Sequence, residues 1–257
     1  MARGISEFLV FGIKQAWACL FGGLMVAALL LTGWFWPEGS PVSRYDFLVV
    51  YAVSIQIIFL LTKLERPAEA LVILIFHGVG TAMEVFKTEA GSWTYPEESL
   101  LRIGAVPLFS GFMYAAVGSY LARVMRVLDF SFDRYPPRLA TLVLAALIYG
   151  NFFAHHYLPD IRWGLMAATA LLFLRTNVHY RVWRWEHRMP LLLGFALVAL
   201  FIFIAENAAT YAGTWLYPDQ EDGWRPVSWQ KWPAWFLLMI LSWVLVTLVH
   251  APKARSR

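Results

Sequence analysis

Eight stretches of mostly apolar residues dominate this chain, each about 20 residues long, and a helix of that length at 1.5 Å per residue spans a hydrocarbon core about 30 Å thick. They lie near residues 15–36, 46–62, 67–90, 104–125, 138–157, 160–179, 189–212 and 232–251. Pro37, Pro41, Pro67, Pro96, Pro136, Pro137, Pro159, Pro190, Pro218 and Pro233 fall at or near the proposed ends, where a missing N–H costs least. Of the 257 residues 60% are hydrophobic and 15% charged, against roughly 25% charged in soluble domains. A chain so poor in charge cannot clothe a water-facing surface. That excludes a cytoplasmic enzyme, a secreted disulfide scaffold and a disordered adaptor. The expected fold is an all-α polytopic transmembrane bundle of about eight helices, a single membrane domain over residues 1–257.

Charge sorts by side of the membrane. Fifteen of the 21 Lys and Arg residues fall at the N-terminus, in the second, fourth and sixth connections and in the tail, and six fall on the other side. The positive-inside rule then places both termini in the cytoplasm, with the chain multi-pass in the cell (inner) membrane. This sorting also explains the net charge of +4 without nucleic acid as a partner; the partner is the lipid bilayer. No small-x-small cleavage site follows the first apolar segment, so it is expected to be retained. Cys19 is the only cysteine, which leaves no internal disulfide and no CxxC site.

An internal repeat is the strongest local signal. Residues 84–97, from Glu84 to Glu97, align without a gap on 206–219, from Glu206 to Asp219, sharing Glu, Thr, Ala, Gly, Trp, Tyr and Pro. Carried through the chain, the register makes two parallel four-helix repeats, about 15–126 and 137–251. An even number of spans gives both halves one orientation, so their expected symmetry is a pseudo-twofold along the membrane normal. Gly91 and Gly213 suit the left-handed position after a helix end, with Pro96 and Pro218 stopping the helix. Trp93, Tyr95, Trp215 and Tyr217 follow at the outer interface. An aromatic belt explains Trp and Tyr there, but a belt does not demand the same spacing twice.

Glu84 precedes Gly91 by seven residues, which places it about 10 Å below the outer helix end and within the hydrocarbon core. Glu206 shares that depth by symmetry. Intramembrane acids mark function by default, the plainer reading being helix glue through a neighbouring Asn, Ser or Thr. His77 lies two turns deeper on the face of Glu84. Asn151 and His155, four residues apart at the outer end of the fifth segment, share a face with His156 beside them. Asn207 adjoins Glu206. Glu84, Glu206, His77 and His155 are therefore the candidate catalytic residues. Trp93, Tyr95, Trp215, Tyr217, Asn151, Asn207 and His156 are the candidate substrate contacts. These histidines and carboxyls suit zinc or iron chemically, yet no H-x3-H or H-E-x-x-H spacing sets two histidines on one helix face, so no metal site is assigned. No cofactor is identified.

The runs Phe76-His77-Gly-Val-Gly80-Thr-Ala-Met-Glu84-Val-Phe-Lys-Thr88 and Gly91-Ser-Trp-Thr-Tyr-Pro-Glu97 resemble an uncharacterised bacterial membrane-protein family, a domain of unknown function, over nearly the whole chain. A fainter resemblance links Glu84, Gly91, Trp93, Tyr95 and Val106-Pro107-Leu108 to membrane carotenoid hydratases and related carotenoid-modifying proteins, over about one quarter of the chain. The second copy departs from that pattern, with Trp232-Pro233-Ala234 in place of Val-Pro-Leu. The first family implies no activity. The residues themselves admit intramembrane acid catalysis on an isoprenoid or other lipid-soluble small molecule, with a neutral Glu84 or Glu206 as acid and the aromatic rings stabilising positive charge. A metal-dependent lipid hydrolase or oxidase and a proton-coupled transporter are the alternatives. Reporters fused to either terminus are expected to read as cytoplasmic; an active periplasmic phosphatase at either end would reverse the orientation.

Overall fold

The computed structural model describes residues 2–255, so Arg257, counted above for orientation, lies outside the described residues. Nine α-helices are present among them: α1 (Ala2–Ala18), α2 (Leu20–Phe35), α3 (Arg44–Leu61), α4 (Pro67–Glu89), α5 (Phe109–Val127), α6 (Arg138–Ala154), α7 (Arg162–Phe173), α8 (Leu191–Tyr211) and α9 (Trp232–Val249). Every expected apolar segment carries a helix. The first is broken: α1 and α2 meet at Cys19 with a bend of 68°, and the Gly22–Gly23 pair just beyond weakens the helix there. By length and hydropathy, α3, α4, α8 and Trp229–Val249 are able to cross a bilayer, and the bent α1–α2 pair makes a fifth span if taken as one. At 17 and 12 residues, α6 and α7 are shorter.

Five short strands are the part that reading for helices alone does not anticipate. β1 (Arg102–Ile103) and β2 (Val106–Pro107) form a small hairpin before α5, turned at Gly104 with φ of 59°. β3 (Ser131–Asp133), β4 (Asn177–Arg181) and β5 (Glu186–Pro190) form an antiparallel sheet in that order. The expected span 160–179 therefore ends at Phe173. Beyond it Val178, Tyr180 and Val182 alternate with polar residues at period two, which a strand satisfies and a helix does not.

Helices α4 and α5 form the centre, and small residues let them approach closely. Gly80 lies under the Tyr114 ring and Gly118 under the Phe76 ring, while a Cβ on Gly111 would collide with Thr81 Oγ1 and the His77 ring. α9 is apolar on all sides, as a fully surrounded helix must be; Phe236 to Val244 are buried without interruption. On the opposite flank of α5, Phe21, Met25, Ala52, Ile55 and Phe59 of α2 and α3 pack against Ala116.

The basic segments gather at one end. Arg123 pairs with Glu65 at 2.8 Å with both side chains buried; Ser119 Oγ also donates to Glu65 and Arg123 donates to the Trp17 carbonyl. Arg126 pairs with Glu69 at 2.8 Å, and Glu69 also accepts from the Arg66 N–H at the start of α4. Lys14 Nζ donates to the Val127 carbonyl, and the tail joins through a parallel bridge between Phe132 and Ala254. His179 lies 2.6 Å from Asp133 across the sheet, and that hydrogen bond holds the Asp133 carboxyl below the usual range. Removing one member of a buried ion pair strands the other. Arg123→Met is thus expected to cost about 3–5 kcal/mol, and a Glu65→Leu, Arg123→Met double variant to recover most of it. Unfolding midpoints in detergent check this, and an unshifted Arg123→Met midpoint would refute the clamp.

Candidate functional site

At the end away from the basic clamp, the two copies of the motif fold alike and then meet. α4 stops at Gly91 with φ of 71°, and α8 stops at Gly213 with φ of 65°, a backbone region that glycine enters without a Cβ penalty. The Gly91 and Ser92 N–H groups cap the Thr88 and Lys87 carbonyls; Gly213 and Thr214 cap Thr210 and Ala209 in the same way. Thr94 and Leu216, at equivalent positions, then exchange both backbone hydrogen bonds at 2.9 Å. The Trp93 ring meets the Tyr217 ring edge-on, 6.1 Å between centroids.

The first turn of α3 braces this junction. Arg44 donates to the Ala212 and Gly213 carbonyls and pairs with Glu97 at 2.7 Å. The Tyr45 hydroxyl donates to the Thr214 carbonyl. Asp46 accepts from the Leu100 and Leu101 N–H groups. One helix start thereby fixes the loops after both α4 and α8.

Both carboxyls are buried beneath the junction, Glu84 at 4% and Glu206 at 3% exposure. Glu84 Oε2 accepts from Trp93 Nε1 at 2.8 Å and the Tyr95 hydroxyl at 2.7 Å. Its Oε1 accepts from the Tyr114 hydroxyl at 2.7 Å. Glu206 Oε2 accepts from Trp235 Nε1 and its Oε1 from the Tyr217 hydroxyl. In both acids Oε2 accepts from an indole, which only donates, and Oε1 accepts from a phenol alone, which donates or accepts; at Glu84 the Tyr95 phenol joins the indole on Oε2. Burial raises the Tyr217 hydroxyl well above the usual tyrosine range, with Glu206 and then Glu84 adding to it, so both carboxyls act on one phenol. Burial and Glu84 raise Tyr95 likewise.

The remaining candidates are distributed around this pair. His77 packs against Phe112 with the rings tilted by 42° and 4.4 Å between centroids; its Nδ1 is buried and unpartnered, as is the Thr81 hydroxyl, both lying against Gly111. Asn151 is not brought to the carboxyls; it bonds Asp160 and the Ile161 N–H and so closes the α6–α7 turn. His155 and His156 turn toward Lys87, whose Nζ lies 3.2 and 2.9 Å from their Nε2 atoms. Asn207 is spent on the Phe203 carbonyl and the Val227 N–H. Trp215 packs into an apolar cluster with Tyr45 and Leu29, and Trp235 fills the role that Trp93 has at the other acid. Tyr114, Trp235, Lys87 and Lys231 were not expected. For two of them a signal existed: Tyr114 and Trp235 follow their glutamates by 30 and 29 residues, an aromatic donor at nearly the same place in each half. Among the described residues, no three His, Cys, Asp or Glu side chains group as a metal set.

Leaving a buried carboxyl oxygen without its only donor costs about 1–3 kcal/mol. Tyr114→Phe and Tyr217→Phe are therefore each expected to destabilise the protein within that range, whereas Tyr157→Phe, at an exposed site, should leave it unchanged. Detergent unfolding of the three variants checks this, and equal midpoints would remove the network.

The chain is similar over nearly its whole length to the uncharacterized protein YoaT of Bacillus subtilis (strain 168), with 42% identity over 254 residues, covering 99% of this chain and 96% of that one. Its fold is similar to that of MvINS, a mycobacterial Insig homolog from Mycobacterium vanbaalenii, with a TM-score of 0.52 at 15% identity over 74% of this chain and 98% of that one. A cross-linked MvINS trimer matches with a TM-score of 0.53 over 75% of this chain. The carotenoid hydratase likeness gains nothing from these comparisons, and its Val106-Pro107-Leu108 element is the short strand β2 with the residue before α5. The family model described as "Protein of unknown function (DUF817)" matches residues 7–243, so this membrane protein belongs to the DUF817 family.

Proposed function

We propose that Glu84 and Glu206 form a proton-exchanging site within the cell membrane that acts on a lipid-soluble small molecule, in a protein with both termini cytoplasmic and two four-helix units, about 15–126 and 137–251. The shared capping bonds at Gly91 and Gly213 and the pairing of Thr94 with Leu216 support the duplication. The gathering of residues 14, 63–69, 123–134, 175–188 and 253–255 at one end supports the orientation.

The observation that carries the chemistry is the indole-and-phenol pattern around each acid. An indole N–H cannot accept a proton, so the oxygen facing Trp93 or Trp235 is held as an acceptor. The oxygen that faces a phenol and no indole, Oε1 of each acid beside Tyr114 or Tyr217, is the one free to gain or lose a proton, since a phenol reverses its hydrogen bond when the carboxyl becomes an acid. Glu84 and Glu206 then serve as acid or base to a substrate entering from the bilayer. An isoprenoid alkene is one such substrate, its developing cation facing the aromatic rings of the site.

Proton-coupled transport is the second reading. The unpartnered His77 Nδ1 and Thr81 Oγ1 favour it, because they continue polar groups inward from Glu84 along α4, and polar groups at membrane depth mark ion paths. The metal-dependent hydrolase or oxidase alternative draws on His155 and His156, which are committed to Lys87. Glu84→Gln and Glu206→Gln are each expected to accumulate normally and to abolish conversion of lipid-soluble substrates, measured by mass spectrometry of a membrane lipid extract incubated with the native chain and with each variant. If both variants fail to accumulate, the acids are structural. Substrate-dependent acidification of reconstituted vesicles, lost in the same variants, would establish transport in place of chemistry.

A further inference from the structure

Lys87 lies one helical turn from Glu84 on α4, about 4.5 Å further toward the helix end, and it is only 5% exposed. The bonds around it are specific. His155 Nδ1 lies 2.9 Å from the Asn151 carbonyl, an acceptor, so Nδ1 carries the ring proton and Nε2 offers a lone pair. Lys87 Nζ is 3.2 Å from that lone pair and 2.9 Å from His156 Nε2. Two of its three N–H groups are thereby placed on neutral imidazoles, and the third remains. Neutral acceptors orient an ammonium but do not balance its charge, and a buried charge requires a counter-ion.

The charges around Lys87 do not supply one. Asp160 is the carboxylate that acts on it, but Asp160 is already bonded by the Arg162 guanidinium and N–H and by Asn151. Arg162 is tied to the same cluster through Asp160 and Asn151, whose carbonyl meets His155, and Arg162 and Lys231 both add positive charge to the surroundings of Lys87. Lys231 sits over the Tyr217 ring with Glu206 and Asp219 in range. His156 is exposed and opens the cluster to the outside.

We infer that Lys87, His156, Arg162 and Lys231 form a receptor for a phosphate group at the rim of the paired-acid site. An ammonium, a guanidinium and a ring nitrogen in one cluster match the several oxygens of a phosphate better than a single carboxylate does. A phosphate held there sets the attached chain beside Glu84. The inference rests on the proton-exchange reading of Glu84 and Glu206 and names its substrate class: an amphiphile with a phosphate head and an apolar tail.

Calorimetric titration of the full chain in neutral detergent tests this with dioctanoyl phosphatidate, dioctanoylglycerol and inorganic phosphate. Phosphatidate is expected to bind at least tenfold tighter than dioctanoylglycerol, which has the same tails and no phosphate. His156→Ala and Arg162→Gln are expected to reduce that preference about tenfold each, and Lys87→Met to abolish it; the exposed His156 variant decides the matter if Lys87→Met does not fold. Inorganic phosphate that displaces phosphatidate at equal affinity identifies a soluble phosphate compound as the ligand, and failure to displace it identifies a lipid head group. Equal binding of the two dioctanoyl lipids, or a preference unchanged in His156→Ala and Arg162→Gln, overturns the receptor. Because the readout is binding, Glu84→Gln separates the two readings: retained phosphate preference with lost turnover upholds both, and absent preference with turnover intact in the native chain removes the receptor alone.

Discussion

A carboxyl placed at membrane depth has no water to turn to, so its hydrogen bonds must come from the protein. That requirement governs the end of the molecule where the motifs lie. Glu84 and Glu206 take their donors from the segments just beyond their own helices, Trp93, Tyr95 and Tyr217, which obliges each chain segment to fold back over the helix it has left. The left-handed glycines make that reversal possible. Tyr114 and Trp235 from the next helices complete the sets, so the acids also fix how α5 and α9 pack.

The opposite end solves the same problem with charge. Glu65 and Glu69 are answered by Arg123 and Arg126 from α5, while the hydrogen bonds to Glu84 and Glu206 come from neutral donors. The distinction has a chemical consequence. A guanidinium grips a carboxylate in a fixed planar geometry, so an acid paired with arginine is a fastener. A carboxyl facing phenols keeps both protonation states within reach of its partners, and only such a group is suited to exchange protons. α5 thus carries an ion-paired end at Arg123 and Arg126 and an end that hydrogen-bonds Glu84 through Tyr114, joined by the close approach at Gly111 and Gly118.

Much of the site was legible because its residues lie close in sequence. Glu84 to Tyr95 and Glu206 to Tyr217 each span twelve residues, and the repetition of Trp, Tyr, Gly and Pro made them conspicuous. The polar residues grouped with them by helix face were less well placed. Asn151 and His155 do share a face, but periodicity does not say toward which neighbour that face turns, and it turns toward Lys87 and Asp160. The β3–β4–β5 sheet was hidden for a different reason. A span search scores apolar content, so it runs the sixth segment on to residue 179 and leaves the charged stretch 180–188 as a connection, passing over the period-two alternation of Val178, Tyr180 and Val182.

The amino-acid sequence alone determined the medium, the helical segments and the two acid motifs, because hydropathy, proline placement and an ungapped repeat are local properties of the chain. Tertiary structure alone decided which donors serve each acid, that Trp235 and not Trp215 reaches Glu206, and that Lys87 lies between two histidines 68 and 69 residues away. Such pairings depend on the angle and depth at which helices cross. Those follow from how glycines such as Gly80 and Gly111 let particular surfaces close on one another, a property of packed pairs that no single segment contains.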